Sequence, residues 1–278
     1  MAVTTAAGIY SEFALNGQHI MFGKANVVST GNTWATSWAA AGLPGAGTGT
    51  TTGKANGATC SRSTAGSIWY NNPRAGRRLY VVGATITGSG NGALTLVDRL
   101  AHVTLAQNEA TGSITGVTGT ARLDSASAGN NMEGGQILVE VASVLGAGDN
   151  VFTIGYTNQA GTASRVTPQF TLTGGTAVSR IIPVSGHCYI PLQDGDRSVR
   201  SIDAITLVSG ANTGGTFTVA LVRPILDVPW VANIPFDRDY VGEQCLLPEV
   251  IADSCLHFVG VPTGSSFNPW GVLRFVDV

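Results

Sequence analysis

From Gly76 onward the chain is a succession of short β-branched and aromatic runs, each stopped by a Gly-, Pro- or Asn-rich turn. That pattern leaves few folds open. Residues 78–86 form such a run and stop at a turn made only of Gly, Ser and Asn, residues 88–92. In residues 136–144, Ile137, Val139 and Val141 project to one side and Glu140 to the other, the period-2 alternation of a half-buried strand. Residues 150–157, 169–172, 178–184, 187–192, 199–207 and 216–225 continue the series, and in the last of these Phe217, Val219 and Leu221 make one apolar face. Strands of this length at this spacing predict an all-β fold, a β-sandwich or jelly roll. Only residues 96–110 have spacing suited to a short helix, with a further helical turn expected within 240–251. No repeat of solenoid or propeller period is present.

The two ends differ from this middle. Residues 39–59 are almost entirely Ala, Gly and Thr, and such a tract cannot bury enough side-chain surface to offset the ordering of its own backbone. Trp34 and Trp38 precede it, and Trp69 and Tyr70 follow it. An extended arm anchored at both ends by aromatics against a neighbouring surface, or an ordinary loop, fits this composition. The tail is punctuated by Pro229, Pro235, Pro248 and Pro262 and closes on two runs of strand character, 256–261 and 271–278. The expected organisation is an extended N-terminal arm over 1–75 and a jelly-roll-like sandwich over 76–226. A short C-terminal β segment, 227–278, would pack on the sandwich or on a neighbour.

Composition narrows the function. Charged residues make up 12% of the chain, about half the ~25% of soluble domains, and the 37 Gly residues are about twice the usual share. A free monomer relies on surface charge for solubility, so this chain is expected to cover much of its exterior with neighbours in an assembly. A neutral Thr/Ser-rich exterior on a monomer is the alternative. A net charge of −2 argues against specific nucleic-acid binding, which needs clustered Lys and Arg. The one basic cluster, Arg74, Arg77 and Arg78, sits at the mouth of a strand and suits an edge or interface. The N-terminus lacks a basic region followed by an apolar run, so no signal peptide is expected. The most apolar stretch, 217–236, is broken by Arg223, Asp227 and three prolines, which excludes a helical membrane span. Synthesis in the cytoplasm follows, where Cys60, Cys188, Cys245 and Cys255 would be buried thiols, with cross-linking between subunits open after release.

No catalytic or cofactor motif stands out. The Gly-rich stretch before Lys54 has Thr48 where a phosphate-binding loop needs Gly, and Ala55 where it needs Ser or Thr. His187-Cys188, and Cys255 with His257 and Cys245, lack the paired short spacings of a zinc site. Asp194 with Asp196, and Asp237 with Asp239, could serve as acid/base or calcium carboxylates, but both pairs sit where turns use Asp. There is no Gly-x-Ser-x-Gly, and His19, His102, His187 and His257 lie in no triad context. No enzyme activity, cofactor or metal is expected.

Several stretches carry a resemblance: residues 42–47 after a Trp, 96–102, 156–161, 191–197 leading into 201–203, and Cys255-Leu-His257. In these the chain resembles the structural proteins that tailed bacteriophages encode beside their capsid genes. The resemblance implies a virion protein, either a head decoration (cement) protein or a head-fibre, collar or tail subunit. The long spine helix expected of a main shell protein is missing. The implied partners are other copies of the chain, as a homotrimer, and the major capsid protein or another virion protein, with no membrane. The location would be the virion, after synthesis in a host bacterium. Candidate interface residues are Trp34, Trp38, Trp69, Tyr70, Arg74, Arg77, Arg78, Trp230 and Trp270. A carbohydrate-recognition role on a tail or fibre is the second reading.

Overall fold

The computed structural model describes residues 5–28, 32–123, 134–182, 187–243, 247–264 and 266–278. The described chain is all-β, with curled antiparallel sheets of sandwich character. Its main elements are α1 (Ala6–Asn16), β1 (Gln18–Lys24), β2 (Leu79–Thr87), β3 (Gly92–Ala106), β4 (Gln136–Ser143), β5 (Asn150–Asn158), β6 (Val199–Ser209), β7 (Thr216–Trp230), β8 (Phe236–Asp239), β9 (Leu256–Pro262) and β10 (Trp270–Asp277). The central sheet runs β9-β3-β7-β4, with Ala35–Thr36 beyond β9. A terminal sheet runs β8-β2-β10-β1 and ends on Gly42–Leu43, and a third sheet pairs β5 with β6.

Two long strands organise the molecule. β3 and β7 pair antiparallel along their whole length, with register shifts beside Leu100 and Ile225. Each bulge inserts one residue and so restores the side-chain parity further along. Leu94, Leu96, Asp98, Ala101, Val103 and Leu105 therefore share one face, and Phe217, Val219, Leu221, Arg223, Leu226, Val228 and Trp230 share it on β7. The bulge at Leu100 is also why 96–110 carries helix-like apolar spacing: a period-2 pattern with one extra residue reads as 3 and 4. The expected helix is a strand, because pairing with β7 and β9 satisfies its backbone on both edges. β7 runs on past 225 through Pro224 and Pro229 for a related reason. β4 stops pairing at Val222, so beyond it one edge of β7 is free and a missing N–H costs no ladder bond.

The shared face of β3 and β7 is covered twice. One end, with Leu105, Val139, Phe217 and Val219, packs on Phe152, Ile154, Tyr156, Ile202 and Ile205 of β5 and β6. The other end, with Leu94, Leu96, Val228 and Trp230, packs on Phe22, Leu79, Ile86, Leu273 and Phe275 of the terminal sheet. Between the two cores lies fully buried Asp98, which accepts from Arg122 Nε (3.0 Å), Ser254 Oγ (2.8 Å) and the Cys255 amide (2.8 Å).

The N-terminal region belongs to this body. Thr5 caps α1 by accepting from the Gly8 amide, and Ile9 and Phe13 of that helix lie on Val82 and Val276 of the terminal sheet. β1 is an inner strand, paired with β10 on one side and with Gly42–Leu43 on the other. The Gly/Ala/Thr tract runs mostly extended up to a single 3-10 turn at Lys54–Asn56, and the surface it lies against is the chain's own, first the edge of the terminal sheet at Gly42–Leu43 and then the central sheet. The Thr50 hydroxyl accepts from the Thr104 amide (2.9 Å), and the Gly53 amide donates to the Thr104 carbonyl (2.9 Å). Its small residues are required by the closeness of this approach: a Cβ at Gly47 would fall 2.3 Å from the Trp38 ring, and one at Gly49 would fall 2.3 Å from Thr104 Oγ1. Residues 178–182 and 187–192 form only isolated bridges rather than strands, and 183–186 lie outside the described residues.

Candidate assembly surface

The nine candidate interface residues divide by burial. Trp38, Tyr70 and Trp230 are inside the chain's own cores, which corrects the expectation that they present themselves to a partner. Trp230 stacks on Phe267 and Tyr70 on Phe275. An aromatic beside a Gly-rich tract is a good anchor, and here the anchorage is intramolecular. Trp34 packs partly buried beside Ile181 and Val259. Arg74 bridges Glu12 of α1 and Asp277 of β10 (2.7 Å to the latter), and Arg77 reaches Glu12 at 2.9 Å. Those two arginines clamp the helix to the sheet. Arg78 stays half-exposed, 3.9 Å from Glu249.

Trp69 and Trp270 remain open to solvent, at 56% and 57% exposure. Arg62 sits over the Trp69 ring, 5.6 Å from its centroid. Trp270 has different company. On β1, Ile20 and Phe22 face the core, so His19, Met21 and Gly23 face outward, and the register places Trp270 opposite Gly23 and Val272 opposite Met21. Leu43 lies opposite Gly23 on the other side. The outer face of the terminal sheet thus carries an apolar row of Leu43, Met21 and Trp270, with Leu43 at 56% and Met21 at 66% exposure. α1 covers only the other end of that face. Met21 and Leu43 escaped sequence reasoning because each is an ordinary strand residue until the pairing partner is known.

Three of the four candidate carboxylates, Asp196, Asp237 and Asp239, are spent on structure. A cleft of about 250 Å³ between α1 and the terminal sheet is lined by Tyr10, His19, Asp237, Asp239 and Arg274 among others. Asp239 accepts from Tyr10 Oη (2.5 Å) and from the amides of Val241 and Gly242 (3.0 Å each), and Asp237 accepts from Thr85 and Arg274. The Thr85 and Arg274 hydrogen bonds hold Asp237 below the usual carboxylate range. Such groups are poor proton acceptors at neutral pH. Asp196 accepts from Tyr156 (2.7 Å), Asn158 (2.6 Å) and Arg165 (2.7 Å), tying the 193–198 turn to β5. Among the described residues no group of three or more His, Cys, Asp or Glu gathers as a metal site; Cys245 lies outside them.

The densest polar chemistry is buried, on the face of the central sheet opposite the two cores. Arg99 and Glu140 pair there at 2.6 Å with side chains 0% and 4% exposed. Arg99 Nε donates to His102 Nδ1 (2.8 Å), and the guanidinium lies 4.5 Å from the centroid of the Trp38 ring. His257 and His102 meet the Trp38 ring edge-on, and Cys60 and Cys255 pack beside it. Lys24, buried nearby, donates to the carbonyls of Ala40 and Gly45 (3.1 Å each) and so fixes the extended tract; burial lowers its pKa to about 8.

No protein-family description and no curated protein matches the chain. Among solved structures, it is similar to the infectious bursal disease virus VP2 subviral particle at 11% identity and TM-score 0.18, over 95% of this chain and 80% of that one. It is also similar to structures of the Gx strain of that virus (12%, TM-score 0.17, 94% and 81%) and the Gt strain (10%, TM-score 0.18, 95% and 81%). Chains with TM-scores this low need share no topology.

Proposed function

We propose that the chain is a non-enzymatic structural subunit of a tailed-phage virion, a head decoration (cement) protein that assembles with itself as a trimer and with the major capsid protein. The observation that carries this reading is the open apolar row of Leu43, Met21 and Trp270 on the outer face of the terminal sheet. A contiguous apolar patch on a chain with only 12% charged residues supports burial against a neighbour. The occupation of Asp237, Asp239 and Asp196 by structural hydrogen bonds supports the absence of carboxylate chemistry. A place in a tail, collar or fibre is the alternative reading, and exposed Trp69 is the feature that favours glycan contact there.

The test is the mass of the full-length protein by light scattering behind size exclusion, followed by binding to heads and to tails separately. A trimer that loads onto heads is expected. Met21→Lys with Trp270→Lys should give a monomer that no longer loads while its thermal unfolding is unchanged. A wild-type monomer that binds neither particle overturns the proposal, and binding to tails alone selects the alternative.

A further inference from the structure

Cys60 and Cys255 lie far apart in sequence and meet at one point of the fold. Both are drawn to the same edge of β3: the Cys60 amide donates to the Leu100 carbonyl (2.9 Å), and the Arg99 amide donates to the Cys255 carbonyl (2.8 Å). Ala58–Thr59 pairs with His102 and Ala101 just beyond, while β9 pairs with 92–98 just before, so the two segments approach end to end along that edge. Further bonds hold the junction closed. Arg122 Nη1 donates to the carbonyls of Cys60 (2.6 Å) and Asp253 (3.3 Å), and the Arg62 amide donates to Asp253 (3.1 Å). The two cysteines share one buried cluster with Trp38, and each perturbs the ionisation of the other.

We infer that Cys60 and Cys255 are a latent disulfide, reduced where the chain is made and closed by a small oxidant of the peroxide class once it leaves. The surroundings separate the two roles. Cys255, His102 and Arg99 as neighbours favour the thiolate at Cys60, whereas burial holds Cys255 protonated. Cys60, 2% exposed, borders a cleft of about 220 Å³ with Thr59, Ser61, Leu100, Gly119 and Arg122, the opening from which a peroxide would approach it. The Cys60 thiolate attacks one peroxide oxygen, the O–O bond breaks, and the departing hydroxide takes up a proton as water, leaving a sulfenic acid. Cys255 then displaces hydroxide from the Cys60 sulfur, its own proton leaving in a second water. Two thiols lose two electrons in all, and one peroxide is reduced to two waters. Among the described residues Cys188 packs with no other cysteine, and burial pushes its thiol up to about 11, so it should stay reduced.

The bond would tie the end of the extended tract to the start of the C-terminal strand β9 across more than two thirds of the chain, and a cross-link closing a long loop constrains an unfolded chain more than a short one does. The experiment treats the reduced full-length protein with stoichiometric hydrogen peroxide and then maps peptides without reduction. Expected are one Cys60–Cys255 linked peptide, two fewer alkylatable thiols after denaturation, and a rise in Tm that dithiothreitol reverses. The rise should be absent in Cys60→Ala and Cys255→Ala. The peptide map of the wild-type protein needs no variant to fold. Cys60 recovered as sulfinic acid, linkage to Cys188 or Cys245, or four alkylatable thiols after treatment would each overturn the inference.

Discussion

The central sheet presents two faces built from the same strands, and they are closed in different ways. On one face the alternate residues of β3 and β7 are apolar apart from Asp98 and Arg223, and two further sheets close over them. On the other face the intervening residues include Arg99, His102, Thr104, Glu140, Thr218 and His257, and an extended tract with Trp38 closes over part of it. The first face is held by area removed from water, a non-directional force that any well-packed apolar set supplies. The second combines an apolar cluster that includes Val97, Leu138, Ala220, Val222 and Val259 with buried polar groups such as the Arg99–Glu140 pair, whose cost depends on the partner. Geometry is therefore specified more sharply on the polar face and stability more robustly on the apolar one.

Removing the cover is the largest test of that contrast. Deleting residues 1–70 takes away β1, Trp38, Tyr70 and the whole extended tract. An arm that only reached a neighbour could be cut without harm. Since this one lines both faces, the truncated chain should show no cooperative unfolding transition by circular dichroism. A sharp transition in that truncation would mean the body closes without its N-terminal region.

The two faces should next respond differently to single and double changes. Glu140→Ala leaves Arg99 buried and unpaired, at an expected cost of about 3–5 kcal/mol. Phe217→Ala on the apolar face should cost a similar ~3–5 kcal/mol through the cavity it leaves. Only the polar loss should be recoverable by a second substitution: Arg99→Met with Glu140→Leu should return to roughly wild-type stability in urea titrations. A double variant no better than Glu140→Ala alone would assign the cost to packing instead of to charge.

Acid should weaken the polar face selectively. Burial first, then the charge of Arg99, holds His257 well below the ordinary histidine range, so it stays neutral in the folded chain. The unfolded chain takes up that proton near pH ~6.5 and the folded chain does not. Stability from this group is therefore complete above ~6.5 and falls as pH drops toward the folded value, with a slope of at most ~1.4 kcal/mol per pH unit. Urea midpoints measured between pH 7 and 5 should decline, and His257→Gln should flatten the decline whatever it does to the midpoint at pH 7. An unchanged slope in that variant would place the acid sensitivity elsewhere.

The smallest effect on stability belongs to the surface that neither core uses. Trp270→Ser should alter the unfolding free energy by less than ~0.5 kcal/mol, since the ring is open to solvent. A larger loss would show that Trp270 supports the terminal sheet itself and would weaken its assignment to assembly.

How much of this was legible depended on the range of the interaction. The runs 78–86, 136–144, 150–157 and 199–207 reappear as β2, β4, β5 and β6 with ends moved by a residue or two. Alternation and turn residues are local, and local pattern specifies an all-β chain. α1 escaped notice because its apolar Ile9 and Phe13 are too few to mark a face without the sheet beneath them. Assembly itself was suggested by low charge, yet the residues that make the open row, Leu43, Met21 and Trp270, share a face only through cross-strand register.

By itself, then, the sequence determined the strand content, the turn positions and the scarcity of surface charge, because β-branched alternation, Gly-rich turns and composition are properties of neighbours along the chain. Tertiary structure decided three further matters. It decided that 96–106 is strand and not helix, since a bulge at Leu100 restores parity only against a paired β7. It decided that the extended tract lies on its own chain, since Gly47 and Gly49 show their purpose only with Trp38 and Thr104 against them. And it decided that Cys60 meets Cys255, because both segments compete for one edge of β3 and come to share it end to end.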